Sequence, residues 1–399
     1  MLTLHVRADN YLQLQNGRNH MATQVSLNKK NSHWKKRMRR ARPYILLGAV
    51  LLAFCRPALA DANQEGIWTH TPYHLGQGLS YPELGLNIGG YISVQFEDIK
   101  DRDWSIGARD LSLFFSENLS NRWQIFSELE VGQALDISPN SISESDSEID
   151  LERLYADYRA TKEITFRIGK FLTPVGHWNQ IHADPLVWTV DRPLTTATPF
   201  ARHATGAMIY GSFSALGNDW DYNLFIDDSD LLDPSQQKEM AFEDGGAGIS
   251  PHNAFERAAG ARISYHFLND HANIGTSFLH YEMYDLRERK DLYGLDALWT
   301  VGRMEFSSEM IYRASQGDLE SDERGGFVQA VLPLTEHLYF IGRHERYKAA
   351  ILSQSATINS TGLTFRPHPA IAIKLEYRDG SHNELLAPSG WLGSLAILF

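Results

Sequence analysis

Hydrophobic residues in this chain fall mostly into short runs in which they alternate with polar residues. The runs 123–131, 163–168, 305–313 and 371–378 show this pattern, with large apolar side chains at most alternate positions. Successive side chains of a β-strand point to opposite faces, so each run predicts a strand with one apolar and one polar face. No stretch after residue 60 is apolar over the roughly 20 residues that a membrane-spanning helix needs.

Two architectures account for such alternation. In a soluble sandwich the polar face meets bulk water and the apolar face is buried. In a wide membrane barrel the polar face lines an aqueous lumen and the apolar face meets lipid, and each strand needs only about 9–11 residues. Alternation alone does not separate the two cases, so the two ends of the chain decide between them.

The chain ends in a strand pattern that terminates on an aromatic residue. Trp391, Leu395, Ile397 and Phe399 share one face, and no tail follows them. This ending resembles the closing strand of bacterial outer-membrane β-barrels, whereas a soluble sandwich would have to bury the same strand. We therefore predict that this strand closes a barrel wall against a first strand near Gly90–Phe96.

The N-terminal region has the order of a secretory signal. Basic residues between 35 and 42 precede the apolar run 44–54, and Ala58 and Ala60 supply the small side chains that signal peptidase requires. We predict cleavage after Ala60, with residues 1–37 an overextended start and Met38 the true initiator. Residues 61–84 are then a short periplasmic lead-in, and residues 85–399 form the barrel domain.

Removal of the signal makes the chain strongly acidic. The first 60 residues carry 11 Lys and Arg and one acidic residue, so the mature chain holds 26 basic against 48 acidic residues, a net charge of about −22. The single Cys is removed with the signal, so packing or a closed hydrogen-bond network must hold the fold together without disulfides. So acidic a surface excludes nucleic acid as a partner.

Turn signals divide the chain into about sixteen strands, the first near Gly85–Asp98 and the last at 390–399. Tight turns alternate with longer polar connections, which is the asymmetry of outer-membrane barrels, with the short turns in the periplasm. The longer connections span residues 99–103, 136–147, 174–203, 228–255, 284–289, 316–322, 348–354 and 380–389. The predicted fold is all-β, a transmembrane antiparallel barrel wide enough for an aqueous channel.

The third long connection and its flanks carry a family resemblance. The segment Arg167–Gly176, the triplet 191–193 and the run Gly206–Gly211 resemble the phosphate-selective porin O and P family of outer-membrane porins. The resemblance implies a sixteen-stranded, usually trimeric porin whose third loop folds into the lumen and narrows it. It also implies phosphate selectivity, but the net charge of the mature chain opposes a pore lined with basic residues.

If the third loop folds inward, its polar and aromatic side chains set the pore diameter and the local field. A solvated outward loop is the alternative. The candidate constriction residues are His177, Trp178, Asn179, His182, Asp184, Asp191, Arg192, Arg202 and His203.

The polar faces of the predicted strands supply candidates for the lumen wall. They are Glu128, Glu130, Asp150, Glu152, Arg167, Glu305, Glu309, Arg313, Lys374, Glu376 and Arg378. Their acidic excess predicts a mild cation preference, unless neighbouring strands pair these charges across the wall.

These patterns predict an outer-membrane porin for passive diffusion of small hydrophilic solutes, filtered by size and charge. The expected partners are outer-membrane lipid and lipopolysaccharide, the barrel assembly machinery and two further copies of the chain in a homotrimer. No catalytic residue, cofactor or metal site is predicted, and the paired histidines and the acidic run 144–148 are interpreted as solvated loop residues. An anion-selective porin, an enzymatic barrel and a non-conducting barrel remain as alternatives.

Overall fold

The structure is a computed structural model that describes residues 73–143, 148–181, 183–197, 199–232, 255–283, 288–317, 321–350 and 354–399. The predicted signal sequence with its cleavage site at Ala60, residues 61–72 of the predicted lead-in, most of the acidic run and the constriction candidate His182 lie outside the described residues. The rest of the predicted lead-in contributes two short strands, Tyr73–His74 and Gly78–Tyr81.

Sixteen long strands form one sheet. In chain order they are β1 Leu86–Ile99, β2 Ser105–Asn118, β3 Trp123–Ser138, β4 Glu148–Arg159, β5 Thr165–Leu172, β6 His203–Ala215, β7 Asn218–Asp227, β8 Phe255–Phe267, β9 Ala272–Met283, β10 Arg289–Val301, β11 Met304–Ser315, β12 Glu323–Pro333, β13 Leu338–Lys348, β14 Ala356–His368, β15 Ile371–Ser381 and β16 Gly390–Leu398. A further short strand, Ser141–Ser143, follows β3.

The sheet closes on itself through its first and last long strands. Every long strand pairs antiparallel with its sequence neighbours, and β16 pairs with β1 from Trp391 opposite Asp98 to Leu398 opposite Tyr91. The amide of Phe399 then donates to the carbonyl of Gly90, and the amide of Gly90 donates back, each at 2.8 Å. Closure leaves no unpaired edge, which a sheet in lipid requires. The predicted sixteen-stranded barrel and its closing strand are confirmed.

The connections alternate in length as the sequence predicts. One end of the barrel carries the short turns, for example residues 216–217 between β6 and β7 and residues 302–303 between β10 and β11. The other end carries the long connections, including residues 173–202 between β5 and β6 and residues 228–254 between β7 and β8.

The outer face of the wall is apolar and exposed. Ile168, Ile226, Met310 and Leu375 expose 69%, 63%, 56% and 49% of their surface, although each lies within a hydrogen-bonded strand. The strand neighbours of Met310 and Leu375 point to the opposite face and are buried, as Glu309 shows at 3% exposure. A wall with this polarity buries charged groups and exposes large hydrophobic ones, the reverse of a soluble protein.

Aromatic pairs mark both ends of the outer face. At the short-turn end Trp123 packs on Tyr158 with 4.8 Å between ring centroids, and Trp220 packs on Tyr265 at 4.6 Å. At the long-connection end Tyr377 packs on Trp391 at 5.0 Å, and Phe278 packs on Tyr293 at 5.3 Å. The partners lie on adjacent strands at the same register level. Two such aromatic girdles flanking an apolar band are typical of a β-barrel at membrane interfaces.

One side of the barrel contains an apolar cluster. Its members at the third long connection are Phe171 near the end of β5, Val175 near the start of the connection and Phe200 near its end. They pack with polar-face residues of β6–β10 such as Met208 and Leu279. Four of these residues expose 1% or less of their surface, and Met208 exposes 4%. The cluster therefore fixes both ends of the 173–202 connection to β6–β10.

None of the helices among the described residues is long and apolar enough to cross a membrane.

Candidate functional site

The segment 173–202 contains three short helical turns, and hydrogen bonds join its two ends. It contains two 3₁₀ turns, Trp178–Gln180 and Asp184–Leu186, and a single α-helical turn, Leu194–Ala197. At its base the amide of Thr173 donates to the carbonyl of Arg202 at 2.8 Å. Asn179 is fully buried, and its side-chain amide donates to the carbonyl of Thr173 at 2.8 Å and to the carbonyl of Arg202 at 3.1 Å. Asn179 therefore ties the two ends together.

Glu309 of β11 binds the beginning of the first 3₁₀ turn. Its Oε1 accepts hydrogen bonds from the backbone amides of His177 at 2.7 Å and Trp178 at 2.6 Å. Amides at the start of a helical turn have no partner within the turn, so a carboxylate satisfies them and is itself stabilised. This contact joins positions more than 130 residues apart.

The His177 side chain adds no charge to the segment at neutral pH. Burial, the largest effect, lowers the pKa of its imidazole below the ordinary value. The nearby Asp296 carboxylate opposes this shift, and the Arg262 guanidinium reinforces it. A buried neutral imidazole of this kind shapes the segment without setting its field.

Gly176, immediately before the first turn, offers a direct test of the Glu309 contact. Its φ is +66°, and a Cβ there would lie 2.8 Å from a Glu309 carboxylate oxygen. We expect Gly176→Ala to destabilise the folded barrel by about 2–4 kcal/mol, since backbone strain adds to the displaced carboxylate. Gly217→Ala is the matched control, because its φ is +80° but no atom lies within 4 Å of the new Cβ. Reversible unfolding in denaturant should show the larger loss for Gly176→Ala, and equal losses would contradict the contact.

Asp184 is bound to two strands of the wall. The ammonium of Lys374 on β15 donates to its carbonyl and to its Oδ1, both at 2.8 Å, and to the carbonyl of Thr189 at 3.1 Å. The hydroxyl of Ser394 on β16 donates to the other carboxylate oxygen at 2.8 Å. Lys374 exposes 3% of its surface, so this is a buried ion pair whose two charges both have additional hydrogen bonds.

Trp188 docks between two wall side chains. Its indole N–H donates to Glu305 at 3.1 Å, and the guanidinium of Arg366 lies 4.5 Å from its ring centroid. Arg366 also donates to the carbonyls of Pro185 and Val187, at 2.8 and 3.1 Å. A cation on the face of an indole and two carbonyl acceptors hold this part of the segment by independent interactions.

The second half of the segment is held in the same way. Asp191 forms an ion pair with Arg378, and its carbonyl accepts a hydrogen bond from Arg343 at 2.9 Å. The amide of Val190 donates to Glu376 at 3.0 Å. The amide of Leu194 donates to Glu345, so two wall carboxylates bind backbone amides here as Glu309 does at 177–178.

The remaining constriction and wall candidates form other pairs. His203 lies 3.0 Å from Glu152, and both side chains are 1% exposed. Glu130 accepts hydrogen bonds from Tyr91 at 3.0 Å and Ser112 at 2.6 Å. The other pairs of wall candidates are Glu128 with Arg153, Arg167 with Asp157, and Arg313 with Glu323.

The structure thus brings together residues that the sequence could only group by type. Five wall candidates, namely Glu305, Glu309, Lys374, Glu376 and Arg378, contact the candidate segment itself. Asp150 is exposed and lies opposite Glu130 in the sheet. Arg202 closes the end of the segment through its carbonyl, which accepts a hydrogen bond from the Asn179 side-chain amide at 3.1 Å.

An aromatic strip on the polar face of β1–β4 was missed at the sequence level. Tyr91, Phe114, Phe126 and Tyr155 pack in succession, with ring centroids 5.8, 6.0 and 5.2 Å apart. Arginines cover its rings: Arg153 lies 4.7 Å from the centroid of Phe126, and Arg167 lies 3.6 Å from that of Tyr155. Both arginine side chains keep 18% of their surface accessible, so this strip presents aromatic and cationic groups together.

Among residues that the structure describes, no group of three or more His, Cys, Asp or Glu side chains has the arrangement of a metal site.

Comparison with solved structures identifies the architecture. OmpF of Salmonella typhi, solved in complex with daunomycin, matches with a TM-score of 0.55 at 10% identity, over 80% of this chain and 99% of that one. The fold is that of a porin. A trimer form of OmpT, an outer-membrane protein of Vibrio cholerae, matches with a TM-score of 0.51 at 8% identity, over 79% of this chain and 99% of OmpT. The outer-membrane channel DcaP of Acinetobacter baumannii matches at 0.50 and 11% identity, over 79% of this chain and 97% of DcaP.

Sequence comparison adds one relative. No known family profile matches the chain. An uncharacterized protein of Aquifex aeolicus (strain VF5) is 24% identical over 345 residues, which cover 73% of this porin-type chain and 75% of that protein.

Proposed function

We propose that this chain is an outer-membrane porin, a water-filled channel through which small hydrophilic solutes diffuse passively. The observation that carries the proposal is the closed sixteen-stranded wall with an exposed apolar outer face and buried charges on its opposite face. A barrel of this strand number leaves an aqueous channel, unlike eight-stranded barrels that side chains fill. The short turns then face the periplasm and the long connections face outward.

The segment 173–202, predicted from sequence as residues 174–203, constricts this channel. Support comes from its hydrogen bonds to polar-face side chains of β9, β11, β13, β14, β15 and β16. Because the segment is bound to this part of the barrel circumference, the path for solutes lies along the opposite part of the circumference. Solutes are filtered there by the width that the segment leaves open and by the field of the groups facing it.

The aromatic strip borders the solute path. It lies on β1–β4, whereas the bonds of the segment go to β9–β16 and the apolar cluster occupies the side of β6–β10. Accessible arginines over aromatic rings offer both a flat apolar surface and hydrogen-bond donors to a passing solute.

A mild cation preference belongs to the same proposal. Most of the wall charges named from sequence are paired or bound to the segment, so their contribution to the net field of the path is small. The predicted mature chain nevertheless carries 48 acidic against 26 basic residues. An excess of one charge sign raises the local concentration of counter-ions.

A porin that prefers anions is the second candidate. It is favoured by the aromatic strip, where Arg153 is 18% exposed while its partner Glu128 is fully buried. This alternative also follows from the sequence resemblance to phosphate-selective porins.

Delivery and assembly follow from the same proposal. An N-terminal signal cleaved after Ala60 directs export, the barrel assembly machinery inserts the chain, and lipid and lipopolysaccharide surround it. A homotrimer is the proposed assembly, supported by the trimeric form of the similar OmpT barrel.

Planar-bilayer recording of the purified protein in a salt gradient tests the function. We expect stepwise conductance and a reversal potential displaced modestly toward cation permeation. A displacement toward anions would replace the proposal with the anion-selective alternative. Absence of conductance in folded, heat-modifiable protein would refute the porin proposal and leave the enzymatic or non-conducting barrel.

A further inference from the structure

The outer face of β12–β13 departs from the apolar pattern at its long-connection end. Arg324 near the start of β12 and Arg346 near the end of β13 are exposed, and Lys348 ends β13 with its side chain partly exposed. Arg324 lies directly opposite Lys348 in the sheet, and Arg346 lies opposite Gly326, two residues further along β12. The three cationic side chains therefore form one cluster, here called the basic patch.

The basic patch continues the line of an aromatic girdle. Tyr293 lies opposite Tyr312, and Tyr312 lies opposite Arg324, so girdle and patch occupy one register line across β10–β13. Both tyrosines are exposed, at 52% and 43%. Girdle tyrosines sit at the headgroup level of a bilayer, which places the adjacent patch at the phosphate level of the outer leaflet.

Within the described part of the chain, no carboxylate forms an ion pair with the basic patch. The acidic residues next to the patch in sequence, Glu323 and Glu345, are buried on the opposite face of the wall. Asp322 accepts hydrogen bonds from the Tyr312 hydroxyl at 2.7 Å and from the Ser315 amide at 3.1 Å. The neighbouring His344 is hydrogen-bonded to Asn359 at 2.7 Å. The three charges of the patch thus face outward, toward whatever surrounds the barrel.

A groove of about 680 Å³ begins beside the patch on the outer face. His344 and Asn359 line its upper part, and the small residues Ala330 and Gly342 lie along it. A Cβ added at Gly342 would meet only the Phe340 ring, at 3.8 Å, so this part of the groove is open space. The groove extends along the outer face to Trp299, away from the long-connection end.

We propose that the basic patch and this groove together bind one phosphorylated, acylated glycolipid of the outer leaflet. Phosphate groups bind to Arg324, Arg346 and Lys348, because guanidinium and ammonium groups match phosphate in charge and geometry. An acyl chain lies in the groove, where Gly342 and Ala330 leave room next to the wall. The inference rests on the proposed membrane placement of the barrel.

Charge complementarity selects this occupant over others. A neutral lipid would bring no negative charge to the patch, and a free phosphate would leave the groove empty. A phosphorylated glycolipid satisfies both parts of the surface.

Native mass spectrometry of the full protein with diphosphorylated lipid A and with its dephosphorylated form tests the patch. Charges at a membrane surface contribute about 1 kcal/mol each, so Arg324→Gln with Arg346→Gln should weaken binding of the phosphorylated form roughly thirtyfold. Arg257→Gln with Arg289→Gln is the matched control, since these arginines are 66% and 63% exposed at long-connection ends of other strands. Equal binding by the two double variants would overturn the proposal, as would equal affinity of the wild-type protein for both lipids.

The groove has its own test in Gly342→Leu. The new side chain should fill the groove and reduce retention of lipid A through detergent washing, whereas Gly393→Leu on β16 should not. A Cβ at Gly393 meets its neighbours at 3.6 Å or more, so both variants are compatible with folding. Unchanged lipid retention in Gly342→Leu, or a change of oligomeric state in its place, would overturn the proposal. Conductance of the same samples separates this outcome from failure of the porin proposal.

Discussion

Deletion of residues 390–399 is expected to abolish barrel formation. The deletion removes β16, which pairs with β15 along one edge and with β1 along the other. Both neighbours would then present unpaired amides and carbonyls to lipid, and each such group costs several kcal/mol. No rearrangement of the remaining strands restores an even antiparallel wall without breaking other pairs.

Folding into detergent micelles, followed by electrophoresis with and without heating, measures this effect. Wild-type protein should migrate differently before and after boiling, and the deletion variant should not. Phe399→Leu is the control, because it keeps the two backbone hydrogen bonds to Gly90 and changes only the terminal side chain. A heat-modifiable deletion variant would show that another strand pair closes the barrel.

Replacement of Lys374 by methionine should release the segment 173–202 from the wall. Lys374 supplies three hydrogen bonds to the segment, and its loss leaves the buried Asp184 carboxylate without its ion-pair partner while the Ser394 hydroxyl still donates to it. Removing one partner of a buried ion pair costs about 3–5 kcal/mol. The segment can avoid this cost by leaving the wall, so we expect a wider or more variable channel.

Single-channel recording reads out this release as roughly twofold or larger changes in conductance, or as new fluctuating levels. Arg262→Met is the matched control, since Arg262 is buried and its guanidinium donates to Asp296 and Ser264, which belong to the wall itself. Both variants should lose stability, and only Lys374→Met should change conductance. Unchanged conductance in Lys374→Met would separate the segment from the conducting path.

Much of the wall could be predicted from sequence because its signal is local. Alternation fixes which residues share a face, and turn residues fix where strands end, so β1 and β16 were located to within about a residue or two. The pairing of β16 with β1 also followed, since an antiparallel sheet of sixteen strands in lipid has to close.

The contacts of the segment could not be predicted in the same way. The bond from Lys374 to Asp184 joins positions 190 residues apart, and nothing in either local sequence indicates the partner. The sequence groups the polar-face charges by alternation, but whether a charge meets water or a loop depends on the path of the loop through space. The same holds for the carboxylate of Glu309, which binds backbone amides that have no side-chain signature.

The aromatic strip was missed for a different reason. Phe114 and Phe115 are adjacent in β2 and point to opposite faces, so composition could not show that only Phe114 packs against Tyr91 and Phe126. A register shift between β1 and β2 near Ser93 further blurs the alternation there. Only the three-dimensional register aligns the four rings.

Chemical modification of a cysteine placed on the segment tests the central claim most directly. The mature chain is predicted to lack Cys, so Leu186→Cys, at a position 52% exposed on the segment, introduces a single reactive thiol. Leu216→Cys, at a position 91% exposed in a short turn, is the control. If the segment narrows a conducting lumen, a bulky methanethiosulfonate reagent should reduce current stepwise through the Leu186→Cys channel and leave the control channel nearly unchanged. Full labelling of Leu186→Cys with no loss of current would contradict the account.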